Sequence, residues 1–407
     1  MPRPPAPPIE ILHLAFAHYP ADPRVKREAE ALRALGLRVA VIALRGQGQR
    51  AVERCGGVLA IRVRGGKRRA GFLGSLGDYL AFLWRCRWLV ARHRLLRHLR
   101  IVHIHTLPDF LLWAALPARA RGARLVFDMH EIFPEFTRAK FRGLAGRVLE
   151  AVARGIERWA RRQADLTITV NRPIDALLGR RPISRSRPPA TERRLTIHNT
   201  ADPADFGTGV PARRDRHAVD GTLELVYHGT LTRLYGLDIA IRGALEARRR
   251  GIPIRFSVIG SGPDREALER LTARLGGADA VRFESPLPQS ALPARLGACD
   301  AGVVPTRLDG MTRYSLSNKL LEYIHLGIPV LAARLPSYAG YLAEDAAWYW
   351  TPGDPDDLAR AIADLAASDA AERTRRTEQA RKGLAPFVWS LERERLLAAY
   401  RELLRPA

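Results

Sequence analysis

The sequence predicts an α/β protein with two open, parallel sheets in tandem, and three observations carry that expectation. At 407 residues the chain is well beyond the ~150 residues of a typical domain. Short β-rich runs alternate with helical patterns almost from end to end, which is the sequence form of βα units. The alternation pauses across a turn-rich stretch, HNTADPADFGTGVPARRDRHAVDG at 198–221, and restarts at Leu223.

In the first half the strand candidates are residues 10–16, 38–43, 59–63, 101–105, 124–127, 166–170 and 195–198, with helical patterns between most of them. RRPISRSRPPATERR, residues 180–194, is Pro/Ser/Arg-rich and aperiodic, so it reads as a loop before the last of these strands. The second half runs LELVYHG, a helix over 237–249, RFSVIG, a helix over 264–275, VRFE, a helix over 291–298, AGVVP, a helix over 317–326 and PVLAA. SLERERLLAAYRELL then places Leu391, Leu396, Tyr400 and Leu403 or Leu404 at helical spacing, consistent with a final amphipathic helix. The carboxyl ends of the two sheets are expected to face one cleft, where ligands bind in such sheets.

Composition bounds the function. With 47% hydrophobic and 27% charged residues, disorder is excluded as the main state. No stretch reaches the ~20 uninterrupted apolar residues of a spanning helix, and the polyproline opening lacks a signal-peptide core. Cys55, Cys86 and Cys299 have no CxxC spacing and no nearby histidine pair, which argues against a zinc site or disulfide framework and for a cytoplasmic home. A formal charge of +24 draws phosphates, nucleotides, nucleic acid or anionic headgroups. No RNP, helix-turn-helix or zinc-finger pattern accompanies it, so nucleic acid is not expected.

The clearest chemical signal is SLSNKLLEYIHLGIPVLAA, residues 315–333. Ser317 or Ser315 can cap a helix whose free N–H groups make an anion site, with the Lys319 charge in its first turn. Glu322, on the same helix face, offers an acceptor-only carboxylate to a ribose diol. The same residues also fit an ordinary helix with an exposed i,i+3 pair. In YHGTLTRLYGLDIAI, residues 227–241, the small Gly229 and Thr230 let the backbone approach a diphosphate that Arg233 can neutralise. In VIGSGPDREAL, Gly260 and Gly262 end a strand and Asp264 can cap the next helix. Either glycine turn alone equally fits a structural βα turn.

These segments, with VRFESPLPQSALPARLGACDAGVVP, stand in the order and spacing of the donor-binding half of family 4 glycosyltransferases. The first half agrees: HYPADPRVKREAEAL resembles the family's first loop and helix, and IVHIHTLPDFLLWAAL with LVFDMHEIFPEF its acceptor-side segment. The resemblance spans nearly the whole chain. It implies the GT-B architecture: a Rossmann-like acceptor-side domain over 1–205, a donor-binding domain over 206–385, and a helix over 386–407 returning to the first. It further implies that Glu322 holds the ribose, that Lys319 and the helix start hold the diphosphate beside Gly229 and Thr230, and that His130 lies near the transferred sugar. Family relatives generally need no metal and no cofactor beyond the nucleotide-sugar donor, and no well-placed DxD motif contradicts this.

The chain departs from the family pattern in places. The position eight before Glu322, usually glutamate, is Tyr314, and Asp309 is the expected replacement. Thr230 and Tyr235 stand where many members carry Arg and Lys, so Arg233 is expected to supply the missing charge. In DMHEIFPE, His130 is either the sugar-contacting group or a loop histidine tied to Asp128. His103 and His105 alternate along a buried-type strand and read as satisfied core groups. In DPRVKRE, Arg24 reaches a donor diphosphate or an anionic acceptor, or else Asp22 is a plain N-cap before an exposed charged helix.

Residues 61–100 hold eleven Lys/Arg against Asp78, and residues 138–163 hold eight against Glu150 and Glu157. Leu80, Trp84, Trp88, Ala91, Leu95 and Leu99 fall on one helical arc bordered by Arg85, Arg92, Arg87 and Arg94. That arc fits a helix lying in an anionic membrane interface at the inner face, or a surface helix docking on the sheet. The expected function is transfer of a sugar, with retention, from a nucleotide-diphosphate sugar to a carbohydrate or lipid-linked hydroxyl acceptor in polysaccharide or glycolipid assembly. The alternatives are a GT-B nucleotide-sugar epimerase and a non-catalytic basic membrane- or nucleic-acid-binding protein.

Overall fold

The central strand runs of the first half are buried along nearly their whole length, as a sheet covered on both sides requires. The computed structural model describes residues 8–65, 72–141, 143–181, 183, 192–201, 206–207 and 221–405. Most of the expected loop at 180–194 and of the turn-rich stretch at 198–221 lies outside them. The chain divides into two units, Met1–Asn199 with Glu392–Ala407, and Thr200–Leu391.

The first unit carries β1 (Ile11–His18), β2 (Val39–Leu44), β3 (Val52–Cys55), β4 (Val58–Val63), β5 (Ile101–His105), β6 (Arg124–Met129), β7 (Leu166–Thr169) and β8 (Arg194–Thr196). They form one sheet in the order β3-β4-β2-β1-β5-β6-β7-β8. The expectation of a parallel sheet needs one correction, because β3 pairs antiparallel with β4. Gly56 and Gly57, both at positive φ, form the two-residue turn between them. Only such a turn matches the twist of a tight hairpin, and the Gly-Gly pair was its visible signal.

The helix Phe72–Arg92 turns Phe82, Leu83, Cys86 and Val90 inward, while Trp84 and Trp88 stand 60% and 61% exposed. The tryptophan arc is therefore the outward face, not the face packed on the sheet. The helix ends at Arg92, so Leu95 and Leu99 do not continue the arc. On the helix Gly143–Gln163, Leu144, Val148 and Val152 are exposed at i, i+4 and i+8. Leu396, Leu397, Tyr400 and Leu403 of the helix Trp389–Leu403 are buried, whereas Leu391 is exposed. Among the described residues no helix is long and apolar enough to cross a membrane.

The second unit carries β9 (Leu223–His228), β10 (Ile254–Ile259), β11 (Val281–Glu284), β12 (Ala301–Val304), β13 (Val330–Ala333) and β14 (Trp348–Trp350) in the order β11-β10-β9-β12-β13-β14. Among the described residues its strand pairings are all parallel. The period-2 alternation of β9 sends Leu225 and Tyr227 into one core with Leu237, Ile241 and Leu358, and Val226 into the other with Leu320, Tyr323 and Ile324. Helices thus cover both faces, and the strands end in the loops that carry Gly229 and Gly260 and in the loop that leads to the helix carrying Lys319.

Candidate functional site

In the second unit the ends of β9 and β10 approach each other too closely for side chains. A Cβ at Gly260 would lie 1.9 Å from the Gly229 carbonyl oxygen, and one at Gly229 would lie 2.8 Å from Lys319 Cε. Both glycines also have positive φ, at 121° and 151°, a region that disfavours other residues. The consequence is a bare backbone patch with Lys319 against it. Gly262 is similarly pressed on Leu231.

The Lys319 ammonium lies 3.9 Å from the Tyr235 ring centroid and 5.1 Å from that of Tyr227. No carboxylate pairs with it among the described residues. Burial in this aromatic setting lowers its pKa to about 8, with the Glu322 charge pulling weakly the other way. Tyr227 is fixed by donating its hydroxyl to the Thr230 carbonyl at 2.8 Å, while the Thr230 side chain is exposed. Glu322, one turn along the helix Asn318–Leu326, places Oε2 2.9 Å from His228 Nε2. The expected Ser317 cap is not made, so the first N–H groups of this helix have no side-chain acceptor. Asp264 likewise makes no cap.

Two expected residues of this unit have other engagements. Asp309 spends Oδ1 on its own turn, accepting from the Met311 and Thr312 amides at 2.8 and 2.7 Å and contacting the Thr312 hydroxyl at 3.0 Å. Its Oδ2 stays outside that turn, and Tyr314 lies beside the Arg313 guanidinium. Arg233 lines a different cavity, with Arg242 and Arg274, rather than joining Gly229 and Lys319.

The first unit holds a buried polar cluster. Strand register builds it: His13 on β1 faces His103 on β5, and His105 faces Asp128 on β6. Asp128 receives Arg24 in a bidentate pair, with Nε and Nη2 each at 2.9 Å. Arg24 also pairs with Glu28 at 3.1 Å and donates to the Ile197 carbonyl and Asn199 Oδ1. Its expected reach to a diphosphate is therefore corrected: the guanidinium is 4% exposed and fully engaged. Asp22 is the N-cap of the helix Pro23–Leu32, accepting from the Arg24 and Val25 amides.

Asp128 Oδ2 lies 2.9 Å from His130 Nε2 and 3.1 Å from His105 Nδ1. The His105 ring also contacts His13, Nε2 to Nδ1, at 2.9 Å. Tyr400 Oη meets His103 Nδ1 at 2.6 Å. Burial opposes the charge on Asp128, but Arg24, His130 and the histidine hydrogen bonds hold its pKa well below the usual range. Burial likewise opposes the His130 charge, and Asp128 overrides it and raises that pKa. Burial and the neighbouring His103 push His13 and His105 well below the ordinary value, so those two are neutral. His130 is 20% exposed and is the group that carries the cluster's charge to the surface.

Ligand atoms of Glu28, His103, His105 and Asp128, and of His13, His103 and His105, lie within 4.8 Å of one another, spacing that would admit a cation. The rings argue otherwise. His13, His103 and His105 stack with centroids 4.2–5.2 Å apart and interplanar angles of 13–26°. Near-parallel rings aim their in-plane lone pairs side by side rather than at one point, and Arg24 already occupies both Asp128 oxygens. The sequence reading named Glu28, His103, His105 and Asp128 but missed His13 and the polar role of Tyr400, whose meeting depends on strand order.

Two Rossmann-like units in one chain, the second with a cation and bare backbone at its strand ends, define the GT-B architecture. Sucrose-phosphate synthase from Thermosynechococcus elongatus shares this fold, with a TM-score of 0.77 over 97% of this chain and 99% of that one at 18% identity. An α,α-trehalose-phosphate synthase from Burkholderia xenovorans has a TM-score of 0.70 over 97% of this chain and all of that one, at 16% identity. Residues 24–189 match the profile of Glycosyltransferase Family 4, and residues 222–368 match that of Glycosyl transferases group 1. The chain belongs to the family 4 glycosyltransferases.

A GDP-mannose-dependent α-(1-6)-phosphatidylinositol monomannoside mannosyltransferase from Mycolicibacterium smegmatis is 30% identical over 182 residues, 44% of this chain and 46% of that one. An α-D-kanosaminyltransferase from Streptomyces kanamyceticus is 26% identical over 294 residues, 66% of this chain and 74% of that one. The matched region thus spans less than half the length of the first of these relatives.

Proposed function

We propose that the protein transfers a sugar from a nucleotide-diphosphate sugar to a hydroxyl acceptor, with retention of configuration, in polysaccharide or glycolipid assembly. The observation that carries this reading is the unpaired Lys319 ammonium against the bare Gly229 backbone, one helical turn from Glu322. The Lys319 charge and the uncapped N–H groups of Asn318–Leu326 take the diphosphate and stabilise the charge it gains on leaving. Glu322 accepts from the ribose hydroxyls, and Gly229, Thr230, Gly260 and Gly262 border the phosphates. In the first unit His130, whose pKa Asp128 raises, donates to an oxygen of the transferred sugar. No metal or further cofactor has a part in this scheme.

A relative's name specifies GDP-mannose, and a solved structure of similar fold contains UDP, so the base is the first unknown to resolve. Thermal unfolding with each nucleoside diphosphate should show stabilisation by one base above the others. If none stabilises, and no nucleotide-sugar is turned over with or without acceptor, the reading fails. Turnover should survive a strong chelator. Loss that Mg²⁺ or Mn²⁺ restores would contradict the metal-free scheme.

The acceptor is lipid-linked or membrane-proximal in this reading, taken at the inner face of an anionic membrane. The outward Trp84 and Trp88, flanked by arginines, support it. Each basic residue near such a surface contributes ~1 kcal/mol, which makes attachment salt-sensitive, and the tryptophans add a salt-resistant part. Wild type should co-sediment with anionic vesicles, and Trp84→Ala/Trp88→Ala should lose the binding that survives high salt. Absence of binding at low salt overturns the idea.

A further inference from the structure

The loop after β9 has two sides. Tyr235, at one end of the 3-10 turn Arg233–Tyr235, touches Lys319, while Arg233 at the other end lines a separate groove of about 400 Å³. The groove runs between the helices Leu237–Arg249 and Arg265–Arg274, and neither Gly229, Lys319 nor Glu322 borders it. Arg233, Arg242, Arg274 and Arg307 line it against Asp238 and Asp264, a net charge of +2.

These charges are unequally satisfied. Arg307 is ion-paired with Asp238 and donates from Nε to the Arg233 carbonyl at 3.1 Å. Among the described residues Arg233, Arg242 and Arg274 have no ion pair and no side-chain hydrogen bond. The floor is apolar, made of the buried Leu237, Leu268 and Leu271. The helix Leu237–Arg249 begins at Gly236 with no side-chain cap, which adds a positive helix end to the same wall. Guanidinium groups gathered around one cavity repel each other, and a bound phosphate relieves that repulsion through charge-assisted hydrogen bonds. The volume lies within the ~300–1,000 Å³ usual for small-molecule sites.

We propose that this groove is a second anion site, taking a phosphorylated small molecule whose phosphate lies on Arg242 and Arg274 and whose apolar part lies on Leu268 and Leu271. A sugar phosphate and a nucleoside monophosphate share that chemistry. Because one short turn joins Arg233 to Tyr235, occupancy of the groove also steadies the ring that contacts Lys319 and tightens donor binding. That coupling rests on the donor reading above, whereas the binding itself does not.

Calorimetric titration of the full chain at ~150 mM salt with a hexose 6-phosphate and, separately, a nucleoside monophosphate tests the proposal and tells the two sources apart. One ligand per chain is expected. Arg242→Ala/Arg274→Ala, both exposed positions, should weaken it by about tenfold or more, while Lys319→Ala leaves it within about twofold. A nucleoside diphosphate should show the reverse pattern if the donor reading also holds. Unsaturable binding of several phosphates per chain, or affinity unchanged in the double variant, overturns the proposal.

Discussion

Both units hold a cation near the ends of their strands, Arg24 buried and Lys319 half-buried, and they satisfy it in opposite ways. In the first, Arg24 is met by two carboxylates, a carbonyl and an amide oxygen. In the second, Lys319 meets two aromatic rings and, among the described residues, no carboxylate. A buried charge whose partners are all supplied internally serves the fold and orients its neighbours, here Asp128 and through it His130. A buried charge left short of partners is less stable in place and retains its capacity for an incoming anion.

The largest effect expected from this contrast is on stability. Arg24→Ala strands Asp128 and Glu28 as buried carboxylates and should cost about 3–5 kcal/mol in denaturant unfolding, while Lys319→Ala should cost nothing measurable. Equal losses would erase the distinction. Next is His130→Ala, expected to lower transfer by about 100- to 1,000-fold with donor affinity nearly unchanged. Wild-type turnover in that variant would make the Asp128 cluster purely structural. Lys319→Ala should weaken nucleoside diphosphate binding by about 10- to 100-fold and nucleoside binding hardly at all. Parallel losses for both ligands would deny the phosphate role.

The smallest effect is in pH. Lys319 titrates at about 8 in the folded chain, below its ordinary 10.5, because burial disfavours the ammonium. Between those values the folded protein has released a proton that the unfolded chain still holds. This group's contribution to stability therefore rises with pH across that window. A diphosphate needs the charged form, so its affinity should fall by about fivefold from pH 8 to 9. Affinity and apo stability moving together over that range would contradict the assignment.

The two clusters also differ in how far the sequence reveals them. Lys319 and Glu322 are three residues apart on one helix, and Gly229 and Gly260 mark strand ends, so local spacing brings them to view. The first unit's cluster joins His13, His103, His105, Asp128 and Tyr400, from three strands and a helix near the end of the chain. Strand alternation shows that His103 and His105 point the same way. Which strands lie beside theirs depends on sheet order, which local patterns do not encode. Asp309 was half legible for a related reason: a carboxylate near the right place was counted as free, whereas its own turn claims one of its oxygens. The hairpin β3-β4 was legible in Gly56-Gly57, but a search for βα units passes over it.

The first unit is assembled from two distant stretches of chain, and its closing piece begins at Glu392. From this piece Glu392 pairs with His198 and Tyr400 supplies a hydroxyl to His103. A ribosome making this protein therefore completes the second unit while the first still lacks a wall. An amino-terminal fragment ending near Asn199 should expose apolar surface and aggregate. Adding residues 392–405 as a separate peptide should rescue it, as in split-protein complementation.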